Sequence, residues 1–167
     1  MKTFKQYITE IKDKPGGRYL HGTLRSNIPS IRQNWLQPKL GNNTLKAYGH
    51  DDELNKPLVH LAHEDDLEKA HSAIINHIGI KLNKHPAKVT PKDIQRHGAL
   101  IVHTPDSEWD KPSLYDPESG HETGHEPQHL EPGDHYSRDD VRPTGILKGK
   151  RLVKFLDKRG MLNRFNK

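Results

Sequence analysis

Residues 18–23, Arg-Tyr-Leu-His-Gly-Thr, constrain this chain more than any other stretch. Tyr19 and Leu20 run straight into a histidine, a glycine and a small hydroxyl, and a helical pattern begins immediately after them. A buried strand that hands over directly to a helix belongs in a layer of mixed strands and helices. Its polar end has two uses. It delivers His21 and Thr23 to the edge of a cleft, or it caps the next helix.

The rest of the chain extends this alternation. In residues 26–36, Ile28, Ile31 and Trp35 fall on one helical face, with Ser26 or Asn27 as cap, Pro29 tolerated in the first turn and Gln37-Pro38 as the stop. Residues 39–56 are polar and read as a long loop of the kind that serves as a functional lid. Pro57–Ala62 is a second short strand, carrying His60. Residues 64–77 form a helix with Leu67, Ala70, Ile74 and Ile78 on one face and Asp65 and Asp66 at its N-terminus. Residues 83–97 are polar and loop-rich. Ala99–His103 is the clearest strand, 104–135 a polar segment, and 136–146 a strand region interrupted by Pro143. The basic, amphipathic residues 147–167 supply a last strand or helix. This order predicts one α+β domain, and 167 residues are enough for a single core.

Composition narrows the functional classes. With 31% hydrophobic residues the core is small and the loops around it long, and the absence of cysteine excludes disulfides and thiolate–metal sites. No apolar run approaches the roughly 18 residues of a membrane span, so no membrane partner is expected. The net charge of +5 favours nucleic acid or another anionic surface without defining a DNA-binding protein. The thirteen histidines invite a metal reading.

At the N-terminus, Phe4, Tyr7, Ile8 and Ile11 have helical spacing, and Pro15-Gly16-Gly17 separates this segment from the rest of the chain. It is no secretory signal, because no continuous apolar stretch comes after its charges. Met-Lys-Thr-Phe-Lys-Gln-Tyr-Ile-Thr-Glu resembles the capsid-targeting peptide of internal head proteins of T-even-like tailed phages. That resemblance implies cleavage after Glu10 by a prohead protease, at Ile8-Thr9-Glu10. It further implies packaging in the virion with the DNA, and passage into the host cytoplasm. The expected organisation is a propeptide over 1–10, a linker over 11–17, the domain over 18–150 and a basic segment over 151–167.

Three features stand in order along the domain: Tyr19-Leu20-His21-Gly22-Thr23 before a helix, Val59-His60-Leu61-Ala62 before a helix, and Glu131 ten residues ahead of Val141-Arg142-Pro143-Thr144-Gly145-Ile146. Together they resemble the ADP-ribosyltransferase superfamily of the His-x-Glu kind, over roughly residues 18–150. The resemblance implies split antiparallel sheets around an NAD cleft. NAD is then the substrate, and a host protein or nucleic acid the acceptor. His21, Gly22 and Thr23 would grip the nicotinamide ribose and amide, and His60 and Ala62 would line the pocket. Glu131, with His21, would carry the catalysis. A carboxylate is needed there because breaking the nicotinamide–ribose bond builds positive charge on the sugar. His21 can donate to a ribose hydroxyl, and Gly22 allows close approach to the backbone.

The sequence departs from that pattern in places. His129 stands two before Glu131, where the family has Gln or Glu, which puts arginine as acceptor in doubt. Glu126 is a second candidate for the acid, and His60 replaces the usual Tyr. The His-Gly-Thr and Val-His-Leu-Ala blocks also resemble the RNA 2′-phosphotransferase branch, which normally carries a winged-helix domain and relies on arginines. Two further alternatives are a zinc hydrolase and a non-enzymatic, DNA-associated internal head protein. His121-Glu122-Thr123-Gly124-His125 is a literal HExxH, with His121 and His125 as metal candidates and His129 or Glu131 as third ligand. Pro117, Gly120, Gly124 and Pro127 break the helix such a site needs, so a solvated loop is the competing assignment. His71, His77 and His103 are expected at the surface. The basic C-terminal residues, Lys148 onward, are candidates for contact with packaged DNA.

Overall fold

Apolar alternation and capping chemistry account for most elements of this computed structural model, which describes residues 18–39, 59–104, 114–115, 134–137 and 140–165. The central strand β1, Tyr19–Leu24, pairs antiparallel with β2, Val59–His63, on one side and β3, Gly98–His103, on the other. Beyond β2 come β5, Asp134–Ser137, and β4, Leu114–Tyr115; beyond β3 comes β6, Gly145–Lys148. The order β4-β5-β2-β1-β3-β6 is one antiparallel sheet of six strands, which with its helices makes the expected α+β domain. Its halves are nevertheless joined narrowly. β1 and β3 pair along six positions, whereas β1 and β2 pair only at Tyr19–His63 and Leu20–Ala62. The strand region expected over 136–146 is two strands, β5 and β6, on opposite halves of the sheet.

Period-2 alternation sorts the side chains onto two faces. On one, Leu20, Ala62, Leu100, Val102 and Leu147 meet the helix α2, Leu67–Leu82, together with α3, Pro91–His97, and α4, Gly149–Lys158. Ile74, Ile78, Ile94, Leu100, Leu152 and Leu156 have no exposed surface there. Each such side chain stabilises the fold by about 1.5–3 kcal/mol relative to exposure. On the opposite face Tyr19, Val59, Leu61 and Ile101 pack with Ile31 of α1, Ile28–Asn34, and with Leu36 and Val141. Leu36 and Val141 exchange backbone hydrogen bonds of 3.0 and 2.8 Å, which ties the end of α1 to the approach to β6.

The helices depart from expectation in several places. Trp35 does not share the buried face of α1; it is 46% exposed, and Leu36 takes the buried position. The reason is local: Trp35 caps α1 with φ 62° and ψ −173°, which swings its side chain away from the stripe begun by Ile28 and Ile31. α2 runs beyond the expected end at 77, to Leu82, and stops on left-handed Asn83. The polar stretch 83–97 contains α3, started by a capping box in which Thr90 and Asp93 satisfy each other's backbone N–H groups, with Pro91 in the first turn. The ring of His71 is buried rather than at the surface, because position 71 falls beside Ala70, Ile74 and Ile75 on the packed side of α2.

Candidate functional site

The narrow junction between β1 and β2 defines the candidate site. Past the Leu20–Ala62 pair the ladder lapses, and the ring of His21 stands where the next rung would be. Its Nδ1 lies 2.8 Å from the carbonyl oxygen of His60. A carbonyl only accepts, so Nδ1–H donates and the neutral ring keeps Nε2 as an acceptor. The neutral form is strongly favoured. Burial pushes the pKa of His21 down to about 4, against the raising effect of the His60 carbonyl, and the neighbouring rings of His77 and His60 lower it further. In this tautomer a partner at Nε2 of His21 has to be a hydrogen-bond donor.

Thr23 lies two residues on and shares His21's face of the sheet. Its side chain is buried, and its Oγ1 accepts from Asn27 Nδ2 at 3.0 Å. This bond closes the hand-over from β1 into the turn Arg25–Asn27 and then α1. Asn27 therefore ties down Thr23 instead of capping α1, where no side-chain cap bond is made. Tyr19 is on the same face, with His63 of β2 edge-on at 5.7 Å and His103 of β3 opposite. The ring of His103 donates from Nδ1 to the carbonyl of Arg142 at 2.7 Å. His63 and His103 flank Tyr19 across three strands, a row invisible without the register.

Gly22 serves the other face. A Cβ there would stand 2.1 Å from the carbonyl oxygen of Ala70 and 2.9 Å from Ile74 Cγ1, so its missing side chain is what lets α2 lie against β1. The close approach foreseen for Gly22 is made by a helix of the chain itself. His60 and Ala62 also point toward the α2 layer, since Val59 and Leu61 take the opposite face; Ala62 is packed in the core with Leu20. His60 meets the seam through its carbonyl, and burial lowers its pKa. The structure therefore brings His21 and Thr23 together on one face and His60 to the seam from behind.

Glu131, Glu126, His121, His125 and His129 lie outside the described residues, as do the N-terminal peptide with Glu10 and the linker over 11–17. Among the described residues no group of three or more His, Asp or Glu is arranged to hold a metal ion, and no helix is long and apolar enough to cross a membrane.

An ion pair pins the outer end of the seam. Arg18 Nε donates to Glu64 Oε2 at 2.8 Å while Glu64 N donates to the Arg18 carbonyl at 2.9 Å, so the start of β1 and the exit of β2 are clamped where the strands still pair. The strands part only inward of that clamp. Comparison with known proteins returned no matching family model, no matching curated protein and no matching solved structure.

Proposed function

We propose that this chain is a mono-ADP-ribosyltransferase that moves ADP-ribose from NAD to a host macromolecule, and that it is carried in a phage capsid and delivered with the DNA. The observation that carries the enzymatic part is the seam. A Tyr-Leu-His-Gly-Thr strand presents a neutral histidine, held by a carbonyl of the neighbouring strand, at the point where the two strands part. An acceptor nitrogen there suits a ribose hydroxyl, and the antiparallel α+β layer is compatible with the resemblance of the motifs.

In this scheme the bond between nicotinamide nitrogen and ribose C1′ breaks, and nicotinamide leaves with the electron pair. A nucleophile of the acceptor forms the new bond to C1′ and gives up its proton. Positive charge builds on the sugar between the two events, and Glu131, or Glu126, supplies the stabilising carboxylate. His21 orients the ribose by accepting from a hydroxyl.

Labelled NAD incubated with the full chain and host lysate tests this. The expected result is label on a host macromolecule, lost in Glu131→Gln and in His21→Asn. Asparagine keeps a donor near the position of Nδ1 and lacks Nε2, so His21→Asn separates the proposed role from loss of fold. Transfer that survives both substitutions overturns the assignment. Release of nicotinamide during removal of an RNA 2′-phosphate, without label on protein, points to the phosphotransferase alternative. N-terminal sequencing of the virion protein is expected to begin at Ile11; a chain that begins at Met1 removes the targeting peptide from the proposal.

A further inference from the structure

We infer that the helical layer behind the sheet is a sequence-independent binding surface for the phosphate backbone of duplex DNA, on the face opposite His21 and Thr23. α3 and α4 pack directly on each other, and with α2 they cover the face of Leu20, Leu100 and Leu147. α4 contributes Lys150, Arg151, Lys154 and Lys158; α3 and the turn Pro86–Lys88 contribute Lys88, Lys92 and Arg96. All are exposed, and none makes an ion pair among the described residues. The carboxylates on these elements are Asp157 and Asp93, and Asp93 is already engaged by Lys84 at 3.0 Å and by Thr90. The surplus of seven cations over two acids equals the +5 of the whole chain. A charge that is modest over 167 residues is thus gathered on three adjoining elements.

Two features fit a polyanion better than solvent. Arg151, Lys154 and Lys158 follow i, i+3, i+7 along one side of α4, opposite the buried Leu152 and Leu156, and so form a straight row about 10 Å long. Lys150 and Arg151 also sit in the first turn of α4, which holds no acidic residue and no side-chain cap. Cations there oppose the helix dipole, and a bound phosphate relieves both the dipole and the mutual repulsion. A lipid surface fits poorly, because the apolar side of α4 is spent on the core and Ile80 is the one exposed large apolar residue of this layer among those described. α4 carries no Asn or Gln for reading adenine edges, and its cations are spaced as a row of charges, so recognition rests on phosphates.

Fluorescence anisotropy of the full chain with two unrelated 20-base-pair duplexes, titrated from 50 to 200 mM salt, tests this. Four neutralised phosphates give a slope of log K against log salt near −3.6, or about a 150-fold loss over that range. Arg151→Gln/Lys154→Gln/Lys158→Gln lowers the slope to about −0.9 and the loss to about 3-fold, equally on both duplexes. These side chains are exposed, and an unchanged circular dichroism melt shows that the fold persists. Arg32→Gln, on α1 across the sheet, is expected to leave the slope nearly intact. An absence of duplex binding at 50 mM salt, equal loss in both variants, a preference for one duplex, or tighter binding to anionic phospholipid vesicles overturns the inference. His21→Asn leaves the slope unchanged, so failure of the NAD chemistry and failure of this surface are read separately.

Discussion

Gly22→Ala separates a glycine kept for a ligand from a glycine kept for a helix. The added Cβ would stand 2.1 Å from the Ala70 carbonyl oxygen, where ordinary contact begins above 3 Å. The obstacle is backbone, so no rotamer change removes it, and α2 must retreat from β1 by about 1 Å. A gap of that size forfeits about a quarter to a half of the dispersion energy along the contact. The contact here includes Leu20, Ala70, Ile74 and Leu100, all at 3% exposure or less. Overpacking in a tight core costs about 1–3 kcal/mol, and the rigid obstacle puts this case near 3. With a urea m-value of about 2 kcal/mol/M, the midpoint should fall by about 1.5 M. Ala70→Gly does not rescue the variant, because the clashing oxygen remains. Ile74→Val relieves only the lesser contact at 2.9 Å. Urea titration followed by circular dichroism measures the shift. A midpoint within 0.3 M of the parent (about 0.6 kcal/mol at that m-value), together with weakened NAD binding, would refute helix packing and restore the ligand-approach role.

Two smaller perturbations test the outlying features. Burial pushes the pKa of His71 down to about 4, with the Arg164 charge adding to the effect, and its Nε2 has no hydrogen-bond partner among the described residues. As pH falls through 6.5 the unfolded chain takes up the proton first, while the folded chain resists until about pH 4. His71 should therefore contribute about 3 kcal/mol to the loss of stability across that window, beside a loss from His21 in the same range, and both level off below it. Denaturation midpoints at pH 7, 5.5 and 4 should show a shallower decline in His71→Leu, and identical slopes would place the sensitivity elsewhere. Trp35 holds φ 62° with ψ −173°, a region that L side chains occupy only under strain, and the residue is nearly half exposed. Trp35→Gly should raise stability by about 1 kcal/mol in the same assay. A loss of comparable size would mean that the ring packs usefully.

Much of the fold is readable from local pattern, because the elements with the strongest periodicity are also the most buried. Ala99–His103 and the stripe Leu67, Ala70, Ile74 and Ile78 stand in the structure where their spacing puts them. α3 is different: it is short, polar and nearly without an apolar stripe, and only Ile94 is buried. Its signal is Thr90-Pro91-x-Asp93, a capping signature rather than a periodicity, so a search by apolar spacing passes over it. Trp35 misleads for the opposite reason. It completes an apolar period on paper, but the chain leaves the helix at that residue, so the next position, Leu36, inherits the burial.

The site is legible in its residues and illegible in its sidedness. His21, Gly22 and Thr23 are identifiable as neighbours, yet the fold divides them, with Gly22 against α2, Thr23 tied to Asn27 just ahead of α1, and His21 reaching the His60 carbonyl across the seam. Whether His60 faces His21 depends on β2's register against β1, which is set by Tyr19–His63 and Leu20–Ala62 and would flip with a one-residue slip. In this register the His21 ring meets the His60 carbonyl, an arrangement that fixes the His21 tautomer. The fold also separates two chemistries that a linear sequence runs together. His21 and Thr23 open on one side of the sheet, while Lys150, Arg151, Lys154 and Lys158 lie on the other, joined to it only through the core around Leu100 and Leu152. A chain built this way can hold a polyanion behind the sheet without covering the seam in front. Charge lost from α4 should therefore change where the protein resides and leave the chemistry at His21 untouched. DNA retention and label transfer from NAD, measured on the same triple variant of α4, check this; transfer lost in step with DNA binding would show that the two faces are coupled.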